Sequence, residues 1–213
     1  MSTSFEEQLS PVEREFVKDL DSAVKIQAFL DTIPYSPDEI NRSPLEVLRD
    51  RRAHCLDGAL FAAAMLRRLG HKPVIIDLLP IPGTDDDHVL AIFKQNGGYG
   101  ALAKSNYSGL RFREAVYRNV RELVMSYFEV YFNLYGQKTL LACTRPYDLT
   151  TMNRYNWATT ASGADAVEKL LKRLHPYPLI TPEMAASLSP VDQRSFDAGR
   201  LGSDPDGIYQ PHT

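Results

Sequence analysis

The chain has few cysteines and no long apolar run, and both absences narrow its class. Its 213 residues include only Cys55 and Cys143, too few for a disulfide framework or a cysteine-rich zinc site. No stretch approaches the roughly 20 apolar residues of a membrane span. Residues 1–16 hold no basic segment followed by an apolar one. We therefore expect no secretory signal, no membrane partner and a cytoplasmic location where both cysteines are thiols.

An excess of positive charge is lacking as well. Lys and Arg number 24 against 27 Asp and Glu, and the two signs are interspersed, so we expect no nucleic-acid partner. No glycine-rich phosphate loop joins a strand to a helix, which argues against nucleotide, flavin and pyridoxal cofactors. The run DDDH at 85–88 carries one histidine beside adjacent aspartates rather than converging metal ligands. We expect neither a cofactor nor a metal.

A helix-start signal recurs along the chain. Ser10-Pro11, Ser36-Pro37 and Ser43-Pro44 each place a capping hydroxyl before a proline, with a glutamate at the third helical position. Thr181-Pro182 and Ser189-Pro190 repeat the pattern more weakly. These signals predict helices at both ends of the protein.

Between the two ends the apolar pattern changes to that of strands. Apolar runs bounded by proline or glycine turns predict strands at 72–80, 88–93, 99–103 and 138–149. Apolar residues at helical spacing predict helices at 114–135, closed by Gly136, and at 163–174. The aromatic stripe of the first helix is expected to be core, as is Trp157; its members are Tyr127, Phe128, Tyr131 and Phe132.

The order of these elements predicts the fold class. Neighbouring strands on short connections imply an antiparallel sheet, and a helix carrying Cys55 precedes them. We therefore expect an α+β fold in which the cysteine-bearing helix packs on an antiparallel sheet between flanking helices. One domain is expected over residues 1–187. Residues 188–213 are expected to be a tail, disordered or packed only through Ile208 and Tyr209.

The cysteine lies at the start of its predicted helix. In AHCLDGALFAAAMLRRLG, residues 53–70, small and apolar residues recur at helical spacing, and Gly70 ends the pattern. Cys55 therefore falls in the opening turn, where unpaired N–H groups and the helix dipole favour the nucleophilic thiolate. The alternative is that Cys55 is a small buried hydrophobe, the expectation for Cys143 in its apolar strand.

A thiol nucleophile needs a base, usually histidine, and the chain has five. His175 and His212 lie near the end of the chain. His71 follows the cysteine helix, roughly 24 Å from its start at a rise of about 1.5 Å per residue, and His54 is adjacent to the cysteine, where side chains point apart. His88 opens the second strand and is the best candidate. The preceding aspartates are expected to raise its pKa, which would favour an imidazolium–thiolate pair.

These residues resemble a known family. A cysteine opening an alanine-rich helix, HCLDGALFAAAMLRRLGHKPVIIDL, followed by a strand, a loop and the histidine of DHVLAIF, is similar to the transglutaminase-like fold of the papain-like thiol enzymes. The likeness covers about residues 43–110. It implies a catalytic triad in which Cys55 is the nucleophile and His88 the base, with an Asp or Asn on the following strand.

The third triad position departs from the family pattern. Relatives commonly have a tryptophan beside the histidine and an aspartate on the next strand, but no Asp lies between His88 and Phe112. The resemblance then points to Asn106, which would orient the imidazole by accepting its hydrogen bond. Ser105 is a weaker candidate. Asn106 is alternatively a turn residue in KSNYSG, which would leave the third position absent.

Three hypotheses for the function follow. The first is a thiol-dependent acyl-transfer enzyme, a hydrolase or amine transferase acting on a peptide or small amide. The second is a catalytically inactive transglutaminase-like binding or scaffold domain, and the third is an unrelated α+β protein with a structural cysteine. Four arginines are expected to be surface charges or, alternatively, to bind an anionic group: Arg51, Arg52, Arg111 and Arg113. The oligomeric state stays open.

Overall fold

A computed structural model describes residues 5–210, and they form an α+β fold, as expected. The helices are α1 (Pro11–Asp19), α2 (Ala23–Thr32), α3 (Pro44–Asp50), α4 (Cys55–Arg68), α5 (Val120–Met125), α6 (Ala161–Leu171), α7 (Pro182–Ala186) and α8 (Gln193–Arg200). The strands are β1 (Val74–Pro80), β2 (His88–Gln95), β3 (Gly98–Leu102), β4 (Arg113–Tyr117), β5 (Leu140–Cys143), β6 (Tyr147–Asp148) and β7 (Tyr177–Pro178). Short 3₁₀ turns occupy Glu6–Gln8, Phe128–Val130, Leu149–Tyr155 and Pro205–Gly207.

All seven strands belong to one antiparallel sheet. Its order is β4-β3-β2-β1-β5-β7, and β6 pairs with the first residues of β1. In the β1–β2 ladder Asp77 lies opposite Val89, and Leu78 lies opposite His88. The predictions of β1, β2 and β3 as neighbouring antiparallel strands are therefore confirmed.

Helix α4 covers one face of the sheet, and it begins at the cysteine as predicted. Its alanines are buried against β1 and β2, and the cluster includes Ile75, Val89 and Phe93. The helix ends in a Schellman cap: Gly70 has a φ of +88°, and the N–H of His71 donates to the carbonyl oxygen of Leu66. The small side chains allow close approach of helix and sheet, which fixes Cys55 at the start of β2.

The opposite face of the sheet is covered by aromatic side chains on irregular backbone. Tyr127, Phe128 and Tyr131 are buried there with Leu90 and Ile92. Burial of the predicted aromatic core is confirmed, but the single helix predicted over 114–135 is wrong. The segment forms β4, α5 and a 3₁₀ turn instead.

The difference between the predicted helix and the structure has a local cause. The side chain of Asn119 accepts a hydrogen bond from the backbone N–H of Glu122 and starts α5 at residue 120. Residues 113–117 therefore leave the helical pattern and pair with β3, where Tyr117 lies opposite Tyr99. The apolar residues of 123–131 that are spaced for a helix also fit α5 and the following loop, because the sheet buries them from one side, whereas Val116 on β4 is 70% exposed.

The helix-start signals had mixed outcomes. Ser10 and Ser43 form complete capping boxes, and Thr181 caps α7, as predicted. The signal at Ser36 was wrong: residues 36–43 form no helix, and the Ser36 hydroxyl accepts from the Arg42 guanidinium instead of capping a helix.

The later elements also depart in part from prediction. The helix predicted at 163–174 is confirmed as α6, which starts at residue 161. The strand predicted over 138–149 is divided into β5 and β6. Within 188–210, the tail contains α8, which begins after the Asp192 cap, and it packs through Phe196 as well as Ile208. No helix within residues 5–210 has the length and apolar character needed to cross a bilayer.

Candidate functional site

Cys55 is the first residue of α4 and reaches the start of β2. Its Sγ lies 3.8 Å from the carbonyl oxygen of Asp87, and the backbone N–H of Val89 also points to the sulfur. The thiol is 7% exposed and lines a cleft of about 640 Å³. The predicted position of the cysteine, in the opening turn of a helix beside the second strand, is confirmed.

The electrostatics of the thiol differ from expectation. Burial raises the pKa of Cys55 well above its usual value, and the carboxylates of Asp87 and Asp86 raise it further. The helix start and the Val89 amide act in the opposite direction but do not compensate. The thiol is therefore protonated at neutral pH, and the expected resting thiolate was wrong.

His88 opens β2, but its ring points to the aromatic face of the sheet. Alternation along the strand places Val89 toward α4, and His88 with Leu90 on the other side. The imidazole stands edge-on to the Tyr131 ring at 6.5 Å between centroids, and its Nε2 lies 2.7 Å from the carbonyl oxygen of Leu110. Since a carbonyl oxygen only accepts, Nε2 carries the proton and Nδ1 is the acceptor.

The imidazole is neutral, contrary to expectation. Burial lowers the pKa of His88 to about 4, although the Leu110 carbonyl opposes this and the Arg113 guanidinium adds to it. The neighbouring aspartates were expected to raise the value, but the His88 ring packs against Tyr131 on the aromatic face, and the charge that acts on it there is that of Arg113. A neutral thiol and a neutral imidazole thus lie at the same end of β2. Within residues 5–210, no hydrogen bond joins them.

Asn106 does not orient the imidazole. Its Nδ2 donates to the carbonyl oxygen of Asp204 at 2.8 Å, and its Oδ1 accepts from the backbone N–H of Asp204 at 2.8 Å. The group that His88 contacts through Nε2 is the Leu110 carbonyl. Asn106 therefore holds the C-terminal part of the chain, and a main-chain carbonyl takes the position for which a side chain was predicted.

Two further polar residues at the site carry no signal in the sequence. The Tyr35 hydroxyl receives a backbone hydrogen bond from the N–H of Cys55, and burial raises its pKa well above the usual value. Asp77 is buried on β1, and its Oδ1 has no partner among the described residues. Burial and the charges of Asp87 and Asp86 raise the pKa of Asp77. It lies within a strand of apolar residues, where sequence patterns predict packing.

The cleft beside the thiol is acidic. Its lining includes one lysine, Lys172, which pairs with Glu168, and a histidine, His54, whose pKa burial lowers to about 4. The carboxylates that line the cleft are Asp38, Glu39, Asp86, Asp87, Glu168 and Asp206. Asp38 is neutralised by the Arg42 guanidinium, which donates to both of its oxygens at 2.8 Å. The remaining excess of acids favours a positively charged ligand.

Two other buried charged side chains have structural contacts. Asp57, in the first turn of α4, accepts hydrogen bonds from the backbone N–H groups of Arg42 and His54. Lys104 is buried and donates to the carbonyl oxygens of Leu30 and Ile33. Among residues 5–210, no three His, Cys, Asp or Glu side chains are grouped to hold a metal ion.

Comparison of the chain with protein-family models and with curated proteins finds no match. An α+β fold by itself assigns no activity. The chemistry of the cleft is therefore the basis for a function.

Proposed function

We propose that the protein is a thiol-dependent acyl-transfer enzyme that acts on an amide bond, with Cys55 as nucleophile and His88 as base. The observation that carries this proposal is the contact of the Cys55 Sγ with the carbonyl oxygen of Asp87, 3.8 Å away and one residue before His88. Thiol and imidazole are thereby delivered to one end of β2, beside a cleft large enough for a substrate.

The fixed tautomer of His88 supports its role. Because Nε2–H donates to Leu110, the ring presents an acceptor at Nδ1. A neutral imidazole is the form that takes a proton from a neutral thiol. The transfer requires Nδ1 to reach Sγ directly or through one water, and such contacts often close only when substrate is bound.

The proposed reaction has two stages. As Sγ attacks the amide carbonyl carbon, its proton passes to Nδ1 of His88, a C–S bond forms, and charge develops on the carbonyl oxygen. The oxygen is stabilised by the Tyr35 hydroxyl, which the N–H of Cys55 holds in place by donating to it. The C–N bond then breaks, and the proton on Nδ1 passes to the leaving amine. Water or a second amine attacks the thioester and restores the thiol.

The negative charge of the cleft narrows the class of substrate that we propose. Acidic side chains exceed basic ones around Cys55, so a substrate with a cationic group beside the reacting amide gains electrostatic attraction. A lysine or arginine side chain in a peptide has this chemistry. An anionic substrate bound by the arginines is disfavoured, since Arg111 pairs with Asp31 and Arg113 is held by carbonyl oxygens.

A binding domain without turnover is the second candidate. It is favoured by the neutral thiol and imidazole and by the lack of a hydrogen bond between them in the described residues. In this case the transglutaminase-like arrangement persists as a scaffold, and the cleft binds a ligand without attacking it.

Covalent labelling separates the two candidates. N-acetyl-lysyl fluoromethyl ketone reacts with thiols that a neighbouring base activates, and mass spectrometry locates the adduct. We expect labelling at Cys55 at least tenfold faster than at Cys143, and a loss of 100-fold or more in His88→Gln, the range that general-base catalysis supplies. Cys143→Ser serves as the matched control and should label normally. Equal rates in wild type and His88→Gln would overturn the enzyme proposal in favour of the binding domain.

A further inference from the structure

The C-terminal segment, residues 198–209, is held by a loop beside the thiol cleft. Ser108 donates its backbone N–H to the carbonyl oxygen of Gly199 at 2.8 Å and its hydroxyl to that of Ala198 at 2.7 Å. Asn106 exchanges two hydrogen bonds with the backbone of Asp204. All four contacts are made to main-chain atoms of the segment. Loop 105–108 therefore recognises polypeptide backbone rather than particular side chains.

The segment continues from this loop into the cleft. Gly207 lies so close to Tyr35 that a Cβ added to it would be 2.7 Å from the ring carbon Cδ1 and 3.1 Å from Nδ2 of Asn106. Tyr35 in turn contacts the backbone of Cys55. Asp206, Gly207 and Ile208 line the same cleft as the thiol, so the segment passes over the approach to Cys55.

Few buried side chains hold the segment to the rest of the domain. Helix α8 contains no buried residue, and Ile208 is the buried side chain of the segment, with 8% exposed. Segments with few buried apolar contacts open locally at low free-energy cost. A competing polypeptide can therefore take the same backbone hydrogen bonds without unfolding the domain.

We propose that loop 105–108 and Tyr35 form a polypeptide-binding site next to Cys55, which residues 203–209 fill in cis and which a peptide substrate must take over. The assignment of the incoming peptide as a substrate rests on the proposed function. Binding of a polypeptide at this site does not depend on catalysis.

Two substitutions in the full chain test whether the segment covers the thiol. Gly207→Val creates the clash with Tyr35, and Asn106→Leu keeps the side-chain size while removing both hydrogen bonds to Asp204. We expect iodoacetamide to alkylate Cys55 at least fivefold faster in each variant, with Cys143 as the internal reference. Leu201→Ala, at an 81% exposed position of the segment, is the control and should leave the rate unchanged. Unchanged alkylation in both test variants, with a cooperative unfolding transition retained, would overturn the covering role.

A peptide added in trans tests the binding site itself. A fluorescein-labelled peptide of residues 202–210 is titrated into full-length Cys55→Ser/Gly207→Val, in which the segment is displaced and no covalent reaction can occur. We expect saturable binding by anisotropy, at least fivefold tighter than to Cys55→Ser alone. The same peptide carrying Gly207→Val should bind at least fivefold more weakly. Equal affinities for the two proteins and the two peptides would overturn the proposal. If the peptide binds as expected but the fluoromethyl ketone does not label Cys55 of the wild type, the binding site is retained and only the enzyme proposal is rejected.

Discussion

The two faces of the sheet are built differently, and each supplies one half of the candidate site. On the α4 face, alanines of a regular helix pack on aliphatic strand residues, and the helix start presents the Cys55 thiol. On the other face, tyrosine and phenylalanine side chains pack on irregular backbone, and this layer holds the His88 imidazole. The thiol is therefore positioned by a regular element, whereas the imidazole is positioned by loops.

Polar groups on the aromatic face are satisfied by main-chain carbonyl oxygens. The Tyr131 hydroxyl donates to Asp86 at 2.7 Å, the Tyr127 hydroxyl donates to Arg111 at 2.7 Å, and His88 donates to Leu110. A carbonyl acceptor is available at every residue, so its use leaves no residue-type signal. The position of the thiol can therefore be predicted from the sequence, because a helix start has a residue pattern, whereas the main-chain partner of the imidazole cannot.

The largest effect is expected from overpacking the α4 face. An alanine Cβ at Gly58, in the first turns of α4, would lie 2.2 Å from the Cβ of Lys104. To relieve this clash, the backbone at Gly58 or at Lys104 must move, which displaces the start of α4 from its neighbour. We expect Gly58→Ala to reduce the free energy of unfolding by about 3 kcal/mol or more, the upper range for overpacked sites, as measured by urea denaturation.

Gly70→Ala, at the other end of the same helix, is the matched control. Gly70 has a φ of +88° and no neighbour within 4 Å of an added Cβ. Only the backbone conformation penalises alanine there, so we expect a loss of about 1 kcal/mol. Equal losses at both glycines would show that α4 does not depend on close approach at Lys104.

A second test concerns the titration of the aromatic face. Because burial lowers the pKa of His88 to about 4 from an unfolded value of 6.5, the folded state binds this proton less readily than the unfolded state. The associated stability is fully present above pH 6.5 and is lost as the pH falls toward 4. Relative to His88→Gln, we expect the wild type to lose up to about 3 kcal/mol of unfolding free energy over this range.

Asp87, beside the thiol, should titrate with the opposite sign. Burial raises its pKa to about 7, so the folded state binds the proton more readily, and the stability from this proton is lost as the pH rises from about 4 through 7. Relative to Asp87→Asn, the wild type should therefore become more stable as the pH falls. Urea denaturation of the three proteins between pH 4.5 and 7.5 measures both slopes, and parallel slopes would contradict burial of either group.

The comparison of the two faces also accounts for what the sequence predicts. Helix α4 and strands β1 to β3 were predictable because hydrophobic period, proline stops and the Gly70 cap agree with one another. The segment 114–135 was not, because its apolar residues fit a helix and a strand equally well until the Asn119 cap and the β3 edge decide between them.

The same distinction applies within the site. The place of Cys55 follows from a helix start, a local feature. The partners of His88 and Asn106 depend on contacts between residues distant in the chain, such as the one from Asn106 to Asp204. Charge states depend on burial in the same way: Asp85 and Asp87 read as part of a solvated run, but the fold encloses them enough to raise their pKa values.

The smallest expected effect is that of reagent charge on the rate at which Cys55 reacts, because the cleft beside Cys55 is acidic. Acidic side chains line the Cys55 cleft, whereas the charge that acts on His88 is the Arg113 guanidinium. A cationic thiol reagent should therefore reach Cys55 faster than an anionic one. We expect aminoethyl methanethiosulfonate to react about three to tenfold faster than its sulfonatoethyl analogue, after correction for their rates with free cysteine, and the ratio to fall at high salt.

Asp86→Asn is the matched variant for this last test. Asp86 is exposed and lines the cleft, and an asparagine side chain has a similar shape but no negative charge. The substitution should lower the ratio between the two reagents without changing the unfolding transition. A ratio near one in the wild type, unaffected by salt, would mean that the carboxylates are neutral or turned away from the thiol. The preference for a cationic substrate would then lose its physical basis, although the nucleophilic role of Cys55 would not.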